Sequence, residues 1–231
     1  MEQRRQRSVE LRAVSLMARG LRDLFRPPFL LMLLLDLLIF GASASVTEVD
    51  EAVLFGTLLL AVVSAYVQIA MTMAAAGDER RSADEWIKLA FKRRVFWRFV
   101  LTGMLIIAAV FLGFLALIVG GLVLGAMLAL AQTASVQERA WPWEAVQSSI
   151  ALSEGHRIPI GIIFAVLYLL PTVTMQIGVQ FRWDRELGLG WPVAGAVATT
   201  ASLAGVIALT RAYVALGGRA TEIGVPSITL R

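Results

Sequence analysis

The 231-residue chain has no cysteine, which excludes disulfides, thiolate metal sites, iron–sulfur ligation and a cysteine nucleophile. Its single histidine, His156, rules out a multi-histidine metal centre or bis-histidine haem within one chain. Lysine is nearly missing too. Lys88 and Lys92 are the only two among 21 basic residues, an arginine bias in keeping with a GC-rich bacterial genome. Charge as a whole is scarce, at 16% of residues against roughly 25% in soluble domains, while hydrophobic residues reach 58%. No phosphate loop, zinc-protease motif, nucleophile elbow or dinucleotide fingerprint occurs. The basic start, Met1-Glu2-Gln3-Arg4-Arg5-Gln6-Arg7, leads into no cleavable apolar segment and lacks the Met-Gly of myristoylation.

What the chain does have is uncharged length. From Phe99 to Gln137 run 39 residues without a charged side chain. As one helix this run would be about 58 Å long, against about 30 Å of bilayer hydrocarbon, so it is long enough to cross twice. The Gly120-Gly121 pair near its middle offers a place to turn. Four further apolar blocks are Pro27–Val46, interrupted only by Asp36, then Ala52–Gly77, Ile158–Phe181 and Leu187–Thr210. The expected fold is an all-α membrane protein with six transmembrane helices, over 28–46, 52–76, 99–119, 122–137, 158–181 and 190–210.

The positions of the basic residues agree with this threading. With the N-terminus in the cytoplasm, 19 of the 21 Lys and Arg fall inside and only Arg182 and Arg185 outside. The first external loop, Thr47-Glu48-Val49-Asp50-Glu51, is acidic. Trp86, Trp97, Trp141 and Trp143 map to the cytoplasmic boundary, and Trp183 and Trp191 to the external one, where an amphipathic indole is well accommodated. The net charge of +4 therefore reads as topology signal and not as a nucleic-acid surface.

Each expected hairpin is preceded by an amphipathic segment, over 8–26, 82–98 and 141–156. In the first, Val9, Ala13, Leu16, Met17, Gly20, Leu21 and Leu24 form a stripe, with Arg12, Arg19, Arg22, Asp23 and Arg26 assigned to the other side. In the second, Trp86, Leu89, Ala90 and Phe91 oppose Lys88, Lys92 and Arg93; in the third, Ala145, Val146, Ile150 and Leu152 oppose Glu144, Gln147 and Ser148. Glu10, Glu85 and Glu144 each precede a small residue by five positions (Ser15, Ala90, Ser149), which points to a threefold repeat of surface helix and hairpin. Such helices belong in the cytoplasmic interface, read either as ordinary connectors that obey the positive-inside rule or as lipid-binding helices with their basic sides toward anionic lipid.

The third unit runs Ala131-Gln132, Val136-Gln137-Glu138, Trp143-Glu144-Ala145-Val146, then Ser149, Leu152 and Gly155. A helix ending at an acid, an Ala-x-x-x-Ser stretch and a Leu-x-x-Gly turn before the next span resemble a bacterial six-helix integral membrane family. That family is related to the membrane domain of glycerophosphoryl diester phosphodiesterases. The resemblance implies a stand-alone membrane module, since phosphodiesterase activity belongs to a separate soluble domain for which the tail after Thr210 leaves no room.

Among polar residues in the apolar blocks, Asp36 lies eight residues into the first span. A central Asp costs roughly 2.5–3.5 kcal/mol on insertion scales and should face the bundle interior or water. Gln68 falls at similar depth and is its expected hydrogen-bond partner; Arg211 is an expected ionic partner, and Gln132, Gln176 and Gln180 are further intramembrane amides. Asp36, Gln68, Gln132 and Arg211 thus form the candidate polar site, read either as a lipid or substrate site or as interhelical bonding that holds the bundle. Gly121-x-x-x-Gly125 and the small residues Ala194, Ala198, Ala201, Ser202 and Gly205 are expected to pack within the chain, and Pro159 and Pro171 to bend the fifth span. His156 reads as a cation at the end of a surface helix.

The expectation is a non-enzymatic inner-membrane protein of a bacterium, multi-pass with both termini cytoplasmic, needing no metal or cofactor. It would bind anionic membrane lipids or a membrane protein partner in envelope upkeep. The alternative is a small transporter or permease subunit using Asp36.

Overall fold

The computed structural model describes residues 13–44, 51–77, 81–116, 118–166 and 190–218. The expected spans over 28–46 and 158–181 lie partly outside these residues. So do Arg12, Pro171, Gln176, Gln180 and the external loop with Arg182, Trp183 and Arg185. The described chain is helical, without a strand among the described residues. In order the helices are α1 (Ala13–Leu24), α2 (Phe29–Ala44), α3 (Glu51–Ala76), α4 (Ala83–Arg93) and α5 (Phe96–Ala116). They continue with α6 (Ile118–Leu128), α7 (Ala131–Gln137), α8 (Pro142–Ser153), α9 (Arg157–Phe164) and α10 (Gly190–Ala215).

Four stretches among the described residues are long and apolar enough to cross a bilayer: Leu58–Ala76, Phe96–Leu115, Gly120–Gln137 and Ala194–Ala215. Phe29–Ile39 is a shorter apolar helix. The protein is an all-helical membrane protein.

The long charge-free run does fold back, but not at its paired glycines. Helix α5 ends at Ala116 and α6 begins at Ile118, so Gly120 and Gly121 lie inside α6. A Cβ on Gly121 would stand 2.5 Å from the Phe114 ring, and one on Gly113 would stand 2.9 Å from the Gly121 backbone. The glycines serve close helix contact, which in an apolar medium supplies the van der Waals attraction that water-driven burial cannot. Gly125 packs likewise against the Phe164 ring of α9, so both glycines of the Gly-x-x-x-Gly pair are used within the chain.

The expected 122–137 span is also divided. Helix α6 stops at Leu128 and α7 starts at Ala131. The expected segment over 8–26 lies partly outside the described residues, and the other two surface helices end earlier than expected. Helix α4 ends at Arg93, Arg94 turns through a left-handed φ of 53°, and Phe96-Trp97-Arg98 opens α5. Helix α8 ends at Ser153, Gly155 has φ +79°, and His156 stands at the N-terminus of α9 and not within a surface helix.

The recurrent glutamates have a plain local job. Glu85 accepts a hydrogen bond from the Ser82 N–H at 3.3 Å, and Glu144 accepts one from the Trp141 N–H at 2.9 Å. Each closes one of the orphan donors that a helix start leaves. Five residues on, Ala90 and Ser149 are both fully buried.

Helix α10 joins two apolar cores. Leu203, Ala204, Val206 and Ile207 pack with α2, α3 and α4. Ala208, Leu209, Ala212 and Tyr213 pack with α1, α7, α8 and α9. Gly20 of α1 sits so close that an added Cβ would be 2.7 Å from the Ala204 carbonyl oxygen and 3.3 Å from the Ala208 methyl. Helix α4 packs against the last three turns of α3. Trp86 covers Gly77, and Phe91 stacks on Tyr66 with ring centroids 3.9 Å apart. Trp86 is therefore buried in the core, whereas Trp97, Trp141 and Trp143 are exposed.

Candidate functional site

The break between α6 and α7 positions the site. In a continuous helix the Leu130 N–H would donate to the carbonyl of Ala126, and the Met127 carbonyl would accept from Ala131. Here the Leu130 N–H donates to the Ser149 Oγ at 3.2 Å, and that same hydroxyl donates to the Met127 carbonyl at 2.6 Å. One buried side chain of α8 thus occupies both backbone groups released by the break. Such re-satisfaction is what permits an interrupted helix at membrane depth. The end of α7 is tied down as well. Gln137 donates to the Thr72 carbonyl of α3 at 2.8 Å. Glu138 accepts from the Tyr213 hydroxyl of α10 and from the Ser148 hydroxyl of α8.

Held this way, α7 turns Gln132 onto Gly103 of α5, where a Cβ would lie 2.8 Å from the amide nitrogen. Gln132 and Gln68 of α3 then face a common cavity of about 540 Å³. Its walls are otherwise apolar: Ile106, Ile107, Val110, Phe111 and Phe114 of α5, with Ala129, Phe164 and Leu209. Ile107 and Phe111 are largely exposed, so the cavity opens along the outer side of α5. Its volume lies within the roughly 300–1,000 Å³ of small-ligand sites.

The four polar residues singled out from the sequence do not meet at one point. Gln68 and Gln132 come together at the cavity. Asp36 is buried elsewhere in α2 and accepts a 2.6 Å hydrogen bond from the Ser64 hydroxyl, so Ser64 takes the place expected for Gln68. Arg211 pairs with Asp23 of α1 and not with Asp36.

Asp23 itself, only 1% exposed, corrects the sequence reading that put it on the polar side. Helical spacing sets it seven residues after Leu16 and three after Gly20, on the buried stripe. Arg26 and Arg22 approach the same carboxylate at 3.4 and 3.7 Å. A lone acid on that stripe was the available signal. Leu21, assigned to the stripe, is 40% exposed.

Outside the spans, Arg81, Lys88 and Lys92 line a shallow groove on α4 beside Glu85 and Leu89. Arg81 stacks over Trp86 at 5.2 Å. Lys88 pairs with Asp84 at 3.2 Å, and the Ser82 hydroxyl, then the Lys88 ammonium, hold the Asp84 carboxyl below its ordinary value. Among the described residues no group of three or more His, Cys, Asp and Glu is placed to hold a metal ion.

No protein-family model, curated protein or solved structure matches the chain. The resemblance carried by Ala145 to Ser149 and Leu152 to Gly155 therefore rests on those residues alone.

Proposed function

We propose that this chain is a non-enzymatic lipid-binding protein of a bacterial inner membrane, with six spans arranged as three hairpins and both termini in the cytoplasm. The observation that carries the reading is the cavity beside α5, apolar, open on one side and furnished with two amides among helices of membrane-spanning length. A membrane molecule can enter from the side without leaving hydrocarbon. The basic groove of α4 supports the same reading, since cations near a bilayer surface attract anionic lipid by roughly 1 kcal/mol each. The transporter alternative would draw on Asp36, which lines no part of the cavity and is engaged by Ser64.

The test is retention of lipid by protein extracted in mild detergent, read by native mass spectrometry. Bound lipid is expected on the natural chain and its loss is expected in Ile106→Trp, whose indole fills the cavity. Equal lipid on both would remove the cavity from the function. Reporters fused to each terminus should both report the cytoplasm; opposite locations would overturn the six-span threading.

A further inference from the structure

We infer that the cavity selects an uncharged, oxygen-bearing chain lipid, with a hydrocarbon tail along the trough of α5 and a hydroxyl or carbonyl oxygen bound by Gln68 and Gln132. This rests on the lipid-binding reading above and names the chemistry of the ligand.

Two amides on different helices, α3 and α7, border the same space. Neither side-chain amide has a hydrogen-bond partner among the described residues. An unpaired amide in an apolar surrounding carries a desolvation penalty, so a purely hydrocarbon occupant would leave two polar groups unsatisfied. A primary amide presents both a donor and an acceptor. A hydroxyl can answer both at once, and a carbonyl or ester oxygen can accept from either NH₂.

The remaining described lining bears no charge. An ammonium, carboxylate or phosphate placed here would lack a counter-charge where its solvation is lost. Among the described residues, cations that could neutralise an anion are engaged elsewhere: Arg211 on Asp23, and Arg81, Lys88 and Lys92 on the α4 groove. Hydrocarbon alone and charged amphiphiles are thus both disfavoured, for opposite reasons.

The full-length chain in lipid nanodiscs is photolabelled with a diazirine-bearing hexadecanol and challenged with chain-matched competitors. These are hexadecanol, methyl palmitate, hexadecane, hexadecyltrimethylammonium and, at alkaline pH, palmitate. Crosslinks are expected in the peptides holding Gly103 and Gln132. The alcohol and the ester should compete about tenfold better than the alkane or either ion, the factor that corresponds to one lost hydrogen bond near 1.4 kcal/mol. The double variant Gln68→Leu/Gln132→Leu should keep the crosslink but lose the preference of alcohol over alkane. Gln132→Glu should shift preference toward the ammonium.

Labelling of the cavity without preference, or equal competition by an ion, overturns this inference while lipid binding stands. No crosslink in the cavity with any chain overturns the lipid-binding reading itself. The competition series on the natural chain decides between these outcomes even where a variant fails to accumulate.

Discussion

Replacing Ser149 with alanine tests whether one hydroxyl sustains the interrupted helix that presents Gln132. Ser149 is fully buried, and its Oγ both accepts from Leu130 and donates to Met127. Ser149→Ala removes both bonds and leaves a backbone N–H and a backbone carbonyl without partners. Side-chain hydrogen bonds between membrane helices average about 0.6 kcal/mol each, so two give a floor near 1.2 kcal/mol. Buried groups left unsatisfied cost about 1–3 kcal/mol each in less forgiving surroundings, which raises the expectation toward about 3 kcal/mol. Unfolding in mixed micelles with increasing dodecyl sulfate measures the difference.

Ser153→Ala is the matched control. Its hydroxyl is equally buried on the same helix but donates to its own helix, to the Ile150 carbonyl at 3.0 Å. Its loss should cost less than about 1 kcal/mol, because such back-bonding contributes little to a helix. If Ser149→Ala lies within about 0.5 kcal/mol of the natural chain, the α6–α7 junction has an alternative satisfaction, such as closing into a continuous helix, and the reasoning fails. A cost confined to the expected range, with cavity crosslinking also weakened, would tie the junction to the placement of Gln132.

Other substitutions probe the rest of the frame. Arg211→Leu leaves the buried Asp23 carboxylate to Arg22 and Arg26 and should destabilise by about 2–4 kcal/mol. Adding Asp23→Asn to it should recover part of that loss in the same unfolding assay, and no recovery would show the ion pair is not the cause. Gly20→Val drives a side chain into the Ala204 carbonyl and should undock α1, seen as faster tryptic cutting at Arg19 and Arg22; an unchanged cutting rate would refute the close contact. Asp36→Asn keeps an acceptor for the Ser64 hydroxyl and should fold with stability within about 1 kcal/mol of the natural chain, whereas Asp36→Leu strands that hydroxyl and should cost more.

The Asp84 carboxyl is held below the ordinary aspartate value of about 3.9, first by the Ser82 hydroxyl and then by Lys88. A depressed folded value stabilises the start of α4 above the unfolded value, and this contribution disappears as pH falls through the folded one. A carbon-detected NMR titration should give a midpoint below about 3.9, moving up toward it in Ser82→Ala; a normal midpoint in the natural chain would count against the capping geometry.

Hydropathy alone carried the membrane assignment and the all-helical class, because a bilayer demands long uncharged helices whatever their neighbours do. It also carried the reversal within the run from Phe99 to Gln137, through length, and the starts of the amphipathic segments at 82 and 141, through their patterning, while the capping role of Glu85 and Glu144 emerged only in the structure. Length and patterning are local properties. What the linear pattern leaves open is which helix faces which. The Leu128-Ala129-Leu130-Ala131 junction holds neither proline nor glycine, and it opens because a serine 19 residues away serves its backbone. Asp36 finds Ser64, Arg211 finds Asp23, and Gln68 and Gln132 meet across a cavity because packing around α10 brings α1, α3 and α7 into place. Partner choice depends on distances between segments, and only the folded bundle fixes those.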